Sequence, residues 1–142
     1  MRLAASTDFG LRVLMRLAGA PDEALSTGRI AQELQVSPHH LAKVVRDLGR
    51  GSFVGSQRGR RGGLRLARPP EAITVGEVVR HLEQRFAMVE CFRADGGHCV
   101  LEPSCRLKPQ FAAAREAFMQ ALDRTTIADC AWPGAGSPAG AA

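Results

Sequence analysis

The stretch STGRIAQELQVSPHHLAKVVRDLG, residues 26–49, contains two short helical patterns separated by a tight break. Ser26 or Thr27 can cap the first helix, and Ser37 followed by Pro38 is typical of an N-cap with proline at the first helical position. The second helix is predicted to begin at Pro38 and to bury one face, formed by Leu41, Val44, Val45 and Leu48. This pattern predicts a helix-turn-helix in which the second helix is the recognition helix.

A basic hairpin follows the helix pair. Segments 53–58 and 64–67 have strand character, and the glycine-rich tip between them, GRRGG at 59–63, is a strong turn signal. A small β-wing next to a helix-turn-helix predicts a winged helix domain. The fold class is therefore expected to be mainly α with a small β-wing, plus a long dimerisation helix.

Three further helices are predicted around this pair. The first begins near Ser6 or Thr7 and ends before Gly19, and the fourth begins at a capping box formed by Thr74 and Glu77. The last, over about 106–124, carries an apolar face formed by Leu107, Phe111, Ala114, Phe118 and Leu122. Such a face has no obvious partner in so small a domain, which favours packing against a second copy in a two-fold dimer.

These elements divide the chain into four parts. Residues 1–85 are expected to form the DNA-binding domain, 86–105 a cysteine-containing loop and 106–130 the dimerisation helix, in which Thr126 caps a last short turn. The end, 131–142, is rich in proline, glycine, alanine and serine and is expected to be disordered.

The positive charge is concentrated in one region. The 142 residues carry a net charge of +5, and 43–68 contains eight basic residues against one acid. This segregation favours a polyanionic partner, double-stranded DNA. The candidate contacts on the recognition helix are Ser37, His39, His40, Lys43 and Arg46, and those at the wing tip are Arg58, Arg60 and Arg61. The wing arginines are suited either to a minor groove or to phosphates.

Three of the four cysteines lie in one segment with the spacing Cys-x7-Cys-x5-Cys: Cys91, Cys99 and Cys105. No apolar run approaches the ~18 residues of a membrane helix, and the N-terminus lacks an apolar signal region. A cytoplasmic protein with reduced thiols is therefore expected, and such a cluster is more typical of a metal site than of disulfides. No nucleophile–base set, phosphate loop or Cys-x-x-Cys pair indicates an enzyme.

Three thiolates leave a four-coordinate centre one ligand short. The fourth donor is open among a group from another subunit and residues of this chain, namely Asp95, His98, Glu102 and Cys130. Zinc and an iron–sulfur cluster both remain possible. The gaps are wider than the Cys-x2-Cys pairs of structural zinc sites, which favours the larger cluster.

The sequence resembles the bacterial iron–sulfur winged-helix repressors of the NsrR, IscR and RirA types. The resemblance extends over 1–129. It is carried by Met1-Arg2-Leu3 and Thr7-Asp8, Ile30-Ala31, 37–41, the wing 58–66, 73–79, Glu90-Cys91, Cys99, 103–108 and 126–129. Within this family, the run Cys-Arg-Leu-Lys at 105–108 and the aspartate at position 8 look most like the NsrR type, which senses nitric oxide.

The resemblance implies a homodimeric repressor of a palindromic operator, with nitric oxide as its effector. It also implies a [4Fe-4S] cluster, or less typically [2Fe-2S], held by Cys91, Cys99 and Cys105. The fourth ligand in the matching pattern is the partner subunit's Asp8. IscR-type members place a histidine where this chain has Lys108, which argues against that type.

One feature departs from the NsrR pattern. Seven residues separate Cys91 from Cys99, whereas NsrR-type members commonly have five or fewer. The longer gap and the preceding segment FAMVECF at 86–92 are similar to the iron-responsive RirA type. An iron sensor and a zinc-stabilised DNA-binding protein therefore remain alternatives.

Overall fold

The computed structural model describes residues 3–57, 59, 62–84, 87–93 and 95–134. Its helices are α1 (Ala5–Ala18), α2 (Thr27–Glu33), α3 (Pro38–Arg50), α4 (Val75–Leu82) and α5 (Lys108–Leu122), and its strands are β1 (Val54–Gln57) and β2 (Gly63–Leu66). Short 3₁₀ turns lie at Pro70–Ala72, Glu90–Phe92, Glu102–Ser104 and Ala128–Cys130. This order confirms the mainly α fold with a small β-wing. None of the described helices combines the length and apolar character needed to cross a membrane.

Local hydrogen bonds hold the helix-turn-helix formed by α2 and α3. Ser26 caps α2 as predicted, because its hydroxyl accepts from the Arg29 backbone N–H at 3.1 Å. In the break that follows, Gln35 has a φ of 54°. The Val36 N–H then donates to the Ala31 carbonyl at 2.9 Å, which closes the turn.

The recognition helix α3 begins with Pro38 at its first position, as predicted. The hydroxyl of the preceding residue, Ser37, makes no capping hydrogen bond within the described part of the chain. The helix continues to Arg50, beyond the predicted end near Leu48.

The wing is a two-stranded antiparallel hairpin in which Val54 lies opposite Leu66. Leu25, just before α2, extends it with a pair of backbone hydrogen bonds to Leu64, at 2.8 and 3.1 Å. Phe53, predicted to lie in the first strand, precedes it and is 2% exposed. The wing is therefore fixed to the helical domain by Phe53 just before β1 and by the pairing of Leu25 with β2.

The hydrophobic core lies where α1 packs on α3 and α4. The α1 residues Val13, Leu14 and Leu17 are at most 3% exposed. The other elements contribute buried side chains that include Ile30, Leu41, Val44, Leu48, Phe53, Ile73, Val78 and Ile127. Burial of this apolar surface, worth roughly 25 cal/mol per Å², is the main stabilising term for the domain.

The first helix begins differently from the prediction. Ser6 and Thr7, the expected N-cap residues, lie inside α1, which follows Ala4. The cap comes from the end of α4, where the Glu83 carboxylate accepts from the Ala4 N–H at 2.8 Å. Thr7 is fully buried and donates its hydroxyl to the same carboxylate at 2.5 Å. The Thr7 hydroxyl is therefore directed to α4 and not to its own backbone.

Only half of the predicted capping box of α4 forms. The Thr74 hydroxyl accepts from the Glu77 N–H at 3.1 Å. The Glu77 carboxylate instead accepts from Arg68 at 2.8 Å, and the Arg68 guanidinium lies 5.3 Å from the ring centroid of Phe53. The ion pair with Arg68 thus takes the place of the expected hydrogen bond from the Thr74 N–H to the Glu77 carboxylate.

The segment after α5 returns to α4. The Val75 N–H donates to the Thr125 carbonyl and the Ile127 N–H to the Ile73 carbonyl, both at 2.9 Å. Thr126 caps the turn that follows, as predicted: its hydroxyl accepts from the Asp129 N–H, while the Asp129 carboxylate accepts from the Thr126 N–H at 2.8 Å.

The sequence predicts disorder over 131–142, but the first of these residues pack on α1. The Trp132 N–H donates to the Met15 carbonyl at 2.9 Å, and Gly134 is buried. The Met15 carbonyl lies in the last turn of α1 and also accepts from the Gly19 N–H at 3.1 Å. Residues 135–142 lie outside the described residues.

The last helix is shorter than predicted and mostly exposed. It covers Lys108–Leu122, and Met119 is its buried residue. Phe111 and Phe118 are half-buried, while Leu107, just before the helix, is 59% exposed. Much of the apolar face of α5 is therefore uncovered in the single chain.

A buried ion pair joins α1 to α2. Arg16 is 2% exposed, and its Nε donates to the Glu33 carboxylate at 2.5 Å. Arg29, one turn before Glu33 on α2, donates to the same carboxylate at 3.0 Å. The hydrogen bond from Arg16 is the main cause that lowers the pKa of Glu33 below its ordinary value of 4.5, and the bond from Arg29 adds to it. Burial of the carboxyl acts in the opposite direction and raises this pKa.

Gly19→Ala is expected to destabilise the fold. A Cβ at this position would lie 2.1 Å from the Trp132 carbonyl oxygen, so the segment docked on α1 must move away. We expect a loss of about 1–3 kcal/mol in the free energy of unfolding, measured by urea denaturation. The matched control is Gly28→Ala on α2, where a Cβ meets nothing within 4 Å. This control is expected to be neutral or stabilising by up to about 1 kcal/mol, and equal effects at both sites would contradict the packing described.

Acid is expected to weaken the contact between α1 and α2. Because the pKa of Glu33 is lowered in the folded state, its stabilising contribution is present above pH 4.5 and is lost as pH falls through the lowered value. Glu33→Gln should therefore flatten the dependence of the free energy of unfolding on pH below 4.5. Glu71→Gln, at an exposed carboxyl, is the control and should leave that dependence as in the unmodified protein. Identical curves for both variants would refute this assignment.

Candidate nucleic-acid interface and cysteine loop

The solvent face of α3 carries the side chains predicted to contact DNA. The helix buries Leu41, Val44 and Leu48 on the other face. The exposed residues are Ser37, His39, His40, Lys43 and Arg46. Because residues three and four apart share a face of a helix, His39, Lys43 and Arg46 form one row along α3. The structure therefore brings together the part of the predicted DNA surface that lies on this helix.

Several basic residues of 43–68 already have partners within the domain. Arg65 donates to the backbone carbonyls of Pro21 at 2.8 Å and Asp22 at 3.0 Å, which fixes the wing to the loop before α2. Arg50 forms an ion pair with Asp47 at 3.0 Å. Because these guanidinium groups already have partners in the domain, the number of basic residues in the segment overstates the charge directed at DNA.

Lys43 and Arg46 differ from these residues. Within the described ranges neither forms an ion pair with a carboxylate. The wing-tip candidates Arg58, Arg60 and Arg61 lie outside the described residues.

The three clustered cysteines lie in the loop between α4 and α5. Cys91 is in the 3₁₀ turn Glu90–Phe92, Cys99 is in a segment without regular secondary structure, and Cys105 directly follows the turn Glu102–Ser104. All three are half-buried free thiols. The loop folds back on itself at Gly97, which has a φ of 60° and no Cβ to collide with the Glu90 carbonyl, 2.3 Å from where a Cβ would stand.

A lysine ammonium lies close to two of these thiols. Lys108, at the start of α5, forms an ion pair with Glu102, and this hydrogen bond is the main cause of its raised pKa. Burial lowers the pKa of Lys108, while the charge that Cys91 and Cys105 carry as thiolates adds to the raising effect of Glu102. Both sulfur atoms are therefore within electrostatic reach of one cation.

The other candidate donors have different surroundings. Arg93 and then the Gly97 N–H lower the pKa of Asp95 to about 2, so this carboxylate already has partners. Glu102 is paired with Lys108. His98 is exposed. Cys130 lies in the turn Ala128–Cys130 after α5, a turn that contacts α1.

Asp8 lies in the first turn of α1 and is 47% exposed. Its carboxylate pairs with Arg12 of the same helix at 2.8 Å. The sequence reasoning missed Arg12, although a spacing of four residues between opposite charges on a predicted helix is the signal that identifies such a pair.

The chemistry of the donor set fits a thiolate-bound metal centre. Three half-buried thiols that form no disulfide lie on one loop near a cation. In the part of the chain that the structure describes, however, no three histidine, cysteine, aspartate or glutamate side chains are arranged so that they could hold a metal ion. The single chain thus supplies the ligand types without assembling them.

The chain matches a known family over most of its length. The Rrf2 family, described as an iron-dependent transcriptional regulator, matches residues 3–132. The transcriptional regulator NsrR of Geobacillus kaustophilus is 46% identical over 131 residues, which are 91% of this chain and 88% of that protein. NsrR of Bacillus subtilis is 43% identical over 130 residues, covering 91% and 89%.

Solved structures agree with these relatives. CymR of B. subtilis, the global cysteine regulator, superposes with a TM-score of 0.75 at 32% identity, over 92% of this chain and 96% of that chain. IscR of T. potens has a TM-score of 0.72 at 25% identity, with coverages of 91% and 85%.

Together the fold and the relatives confirm the winged helix, the transcriptional role and the expectation that the protein is not an enzyme. The chain therefore belongs to the Rrf2 family of DNA-binding transcriptional regulators.

Proposed function

We propose that this protein is a homodimeric transcriptional repressor that senses nitric oxide through an iron–sulfur cluster, most simply [4Fe-4S]. The observation that carries the proposal is the loop with three half-buried free thiols placed directly before α5. The relatives named NsrR, at 38–46% identity, support the choice of nitric oxide as the signal. The ligands are Cys91, Cys99, Cys105 and the partner subunit's Asp8.

Each of three ranges along the chain has its own role in this proposal. Residues 1–85 bind DNA, 86–105 hold the cluster and 106–130 form the dimer interface. In the DNA-binding part, Ser37, His39, His40, Lys43 and Arg46 enter the major groove from α3, and Arg58, Arg60 and Arg61 contact DNA from the wing. A two-fold dimer presents two such surfaces and matches a palindromic operator.

The exposed apolar surface supports dimerisation through α5. Val100 is 89% exposed, Leu101 64% and Leu107 59%; the first two lie in the cysteine loop and Leu107 directly precedes α5. Together with the uncovered apolar face of α5, these exposed side chains favour a protein–protein contact at this end of the chain. A second copy packed along α5 removes this surface from water and brings the two cysteine loops close to the interface.

Lys108 and Asp8 have different roles in the proposed sensing. When bound, the cluster would supply iron that can react with nitric oxide, and the partner subunit's Asp8 would hold it through a carboxylate while Cys91, Cys99 and Cys105 hold it through thiolates. The Lys108 ammonium offsets negative charge next to Cys91 and Cys105. Asp8 has two alternative partners, Arg12 of its own helix at 2.8 Å and the other subunit's cluster.

Release of Asp8 changes the relation of the two subunits. Its helix, α1, packs directly on the recognition helix α3 through buried apolar side chains. When Asp8 returns to Arg12, the tie between α1 and the other subunit's loop is lost. A shift of a few ångströms between the two recognition helices then breaks their match to successive major grooves.

An iron-responsive repressor is the second candidate. The seven-residue gap between Cys91 and Cys99 favours it, as does the description of the family as iron-dependent. Non-denaturing mass spectrometry of the anaerobically purified dimer separates the two functions. Clusters lost on nitric-oxide addition support the first function, clusters lost only to an iron chelator support the second, and zinc in their place refutes both.

Cys99→Ser is expected to abolish cluster binding, because it removes one of three thiolates. Iron and acid-labile sulfide of the anaerobically purified variant should fall to the level of the metal-free protein. Cys130→Ser is the matched control, since this half-buried thiol lies outside the loop, and it should retain full iron content. Unchanged iron in Cys99→Ser would contradict the assignment of the loop.

Lys43→Ala is expected to weaken binding to an operator duplex selected from a random library. Loss of one phosphate contact should lower the slope of log affinity against log salt by about 1. Glu71→Gln, which removes an exposed charge outside both the proposed DNA contacts and the dimer interface, is the control and should leave affinity and slope unchanged. A Lys43 variant with unaltered slope would place the DNA surface elsewhere than α3.

A further inference from the structure

The carboxylate of Glu83 caps a helix other than its own. It lies at the end of α4, and its Oε1 accepts from the Ala4 N–H at 2.8 Å and from the Thr7 hydroxyl at 2.5 Å. Ala4, the N-cap residue of α1, has no side-chain acceptor for the free N–H groups of the first turn. Glu83, 79 residues away, therefore satisfies one of these N–H groups, that of Ala4, whose carbonyl in turn accepts from the Thr7 and Asp8 N–H groups.

The dipole of α1 favours the Glu83 carboxylate at this position, whereas the dipole of α4 disfavours it. A carboxylate at the C-terminus of a helix faces the negative end of that helix's dipole, which disfavours it. The same charge at the N-terminus of α1 is favoured, and its hydrogen bonds are strengthened by the ionised acceptor. The buried hydroxyl of Thr7 fixes the direction from which Glu83 approaches.

The location of this contact links two parts of the proposed sensor. Asp8 directly follows Thr7 in the first turn of α1, and Glu83 comes shortly before the cysteine loop that begins near residue 86. We propose that Glu83 is a positioning residue, which holds the first turn of α1 so that Asp8 can reach the cluster of the other subunit. This inference rests on the proposed function.

The metal-free protein gives the first test. Glu83→Ala should speed amide hydrogen exchange of Thr7 and Asp8 by about fivefold or more, as expected for loss of a helix cap. Glu83→Gln keeps an oxygen acceptor for both donors and should restore slow exchange. Glu77→Ala, which removes a different carboxylate of α4, should leave these amides unchanged. Unchanged exchange in Glu83→Ala would overturn the proposal.

The cluster-loaded protein gives the second test. Asp8→Ala and Glu83→Ala should alter the visible circular dichroism of the cluster and its rate of reaction with nitric oxide in the same direction. The double variant should match Asp8→Ala, because Glu83 acts through Asp8. Glu83→Gln should resemble the unmodified protein.

The two levels of inference fail in different ways. If Asp8→Ala changes the spectrum and rate but Glu83→Ala does not, the positioning role is wrong while the nitric-oxide sensor stands. If the effects of Glu83→Ala add to those of Asp8→Ala, Glu83 acts by another route and the proposal also falls. A purified dimer without iron refutes the proposed function itself, whatever amide exchange shows for α1.

Discussion

Burial of one face of α1 is the interaction on which the other parts of the molecule depend. Val13, Leu14 and Leu17 are almost fully removed from water, and the helix contacts α3, α4, β2 and the turn Ala128–Cys130. The same face includes Arg16, whose charge is tolerated there because Glu33 pairs with it. The recognition helix, the wing and the end of the chain are thus placed relative to each other through their common contact with α1.

Features encoded by neighbouring residues could be predicted from the sequence. Ser26, Thr74 and the pair Thr126 and Asp129 act as local caps, and the apolar period identified the helices and the buried face of α3. The start of α1 could not be predicted in this way. Thr7 has the residue type of an N-cap, but its partner is distant in sequence, so only the folded chain shows that Glu83 takes the role.

The candidate site could likewise be predicted from the sequence only in part. Charge segregation predicted a DNA-binding face, but it did not distinguish Lys43 from Arg65, which is bound to backbone carbonyls. Cysteine spacing placed three thiols on one loop, and the structure adds the nearby cation of Lys108. The fourth ligand was not predictable from spacing, because in the proposed assembly it comes from another copy of the chain and depends on how two copies pack.

The hydrogen bond from Trp132 to Met15 has a consequence for how the protein is made. The ribosome releases α1 before the partners of this helix, which are spread through the following chain as far as Trp132. Contacts between segments so far apart in sequence form slowly, because a long loop must close, at a cost in chain entropy, before the contacts can stabilise the fold. The first helix therefore completes its packing only after Trp132 has left the ribosome, and until then its apolar face is exposed to aggregation.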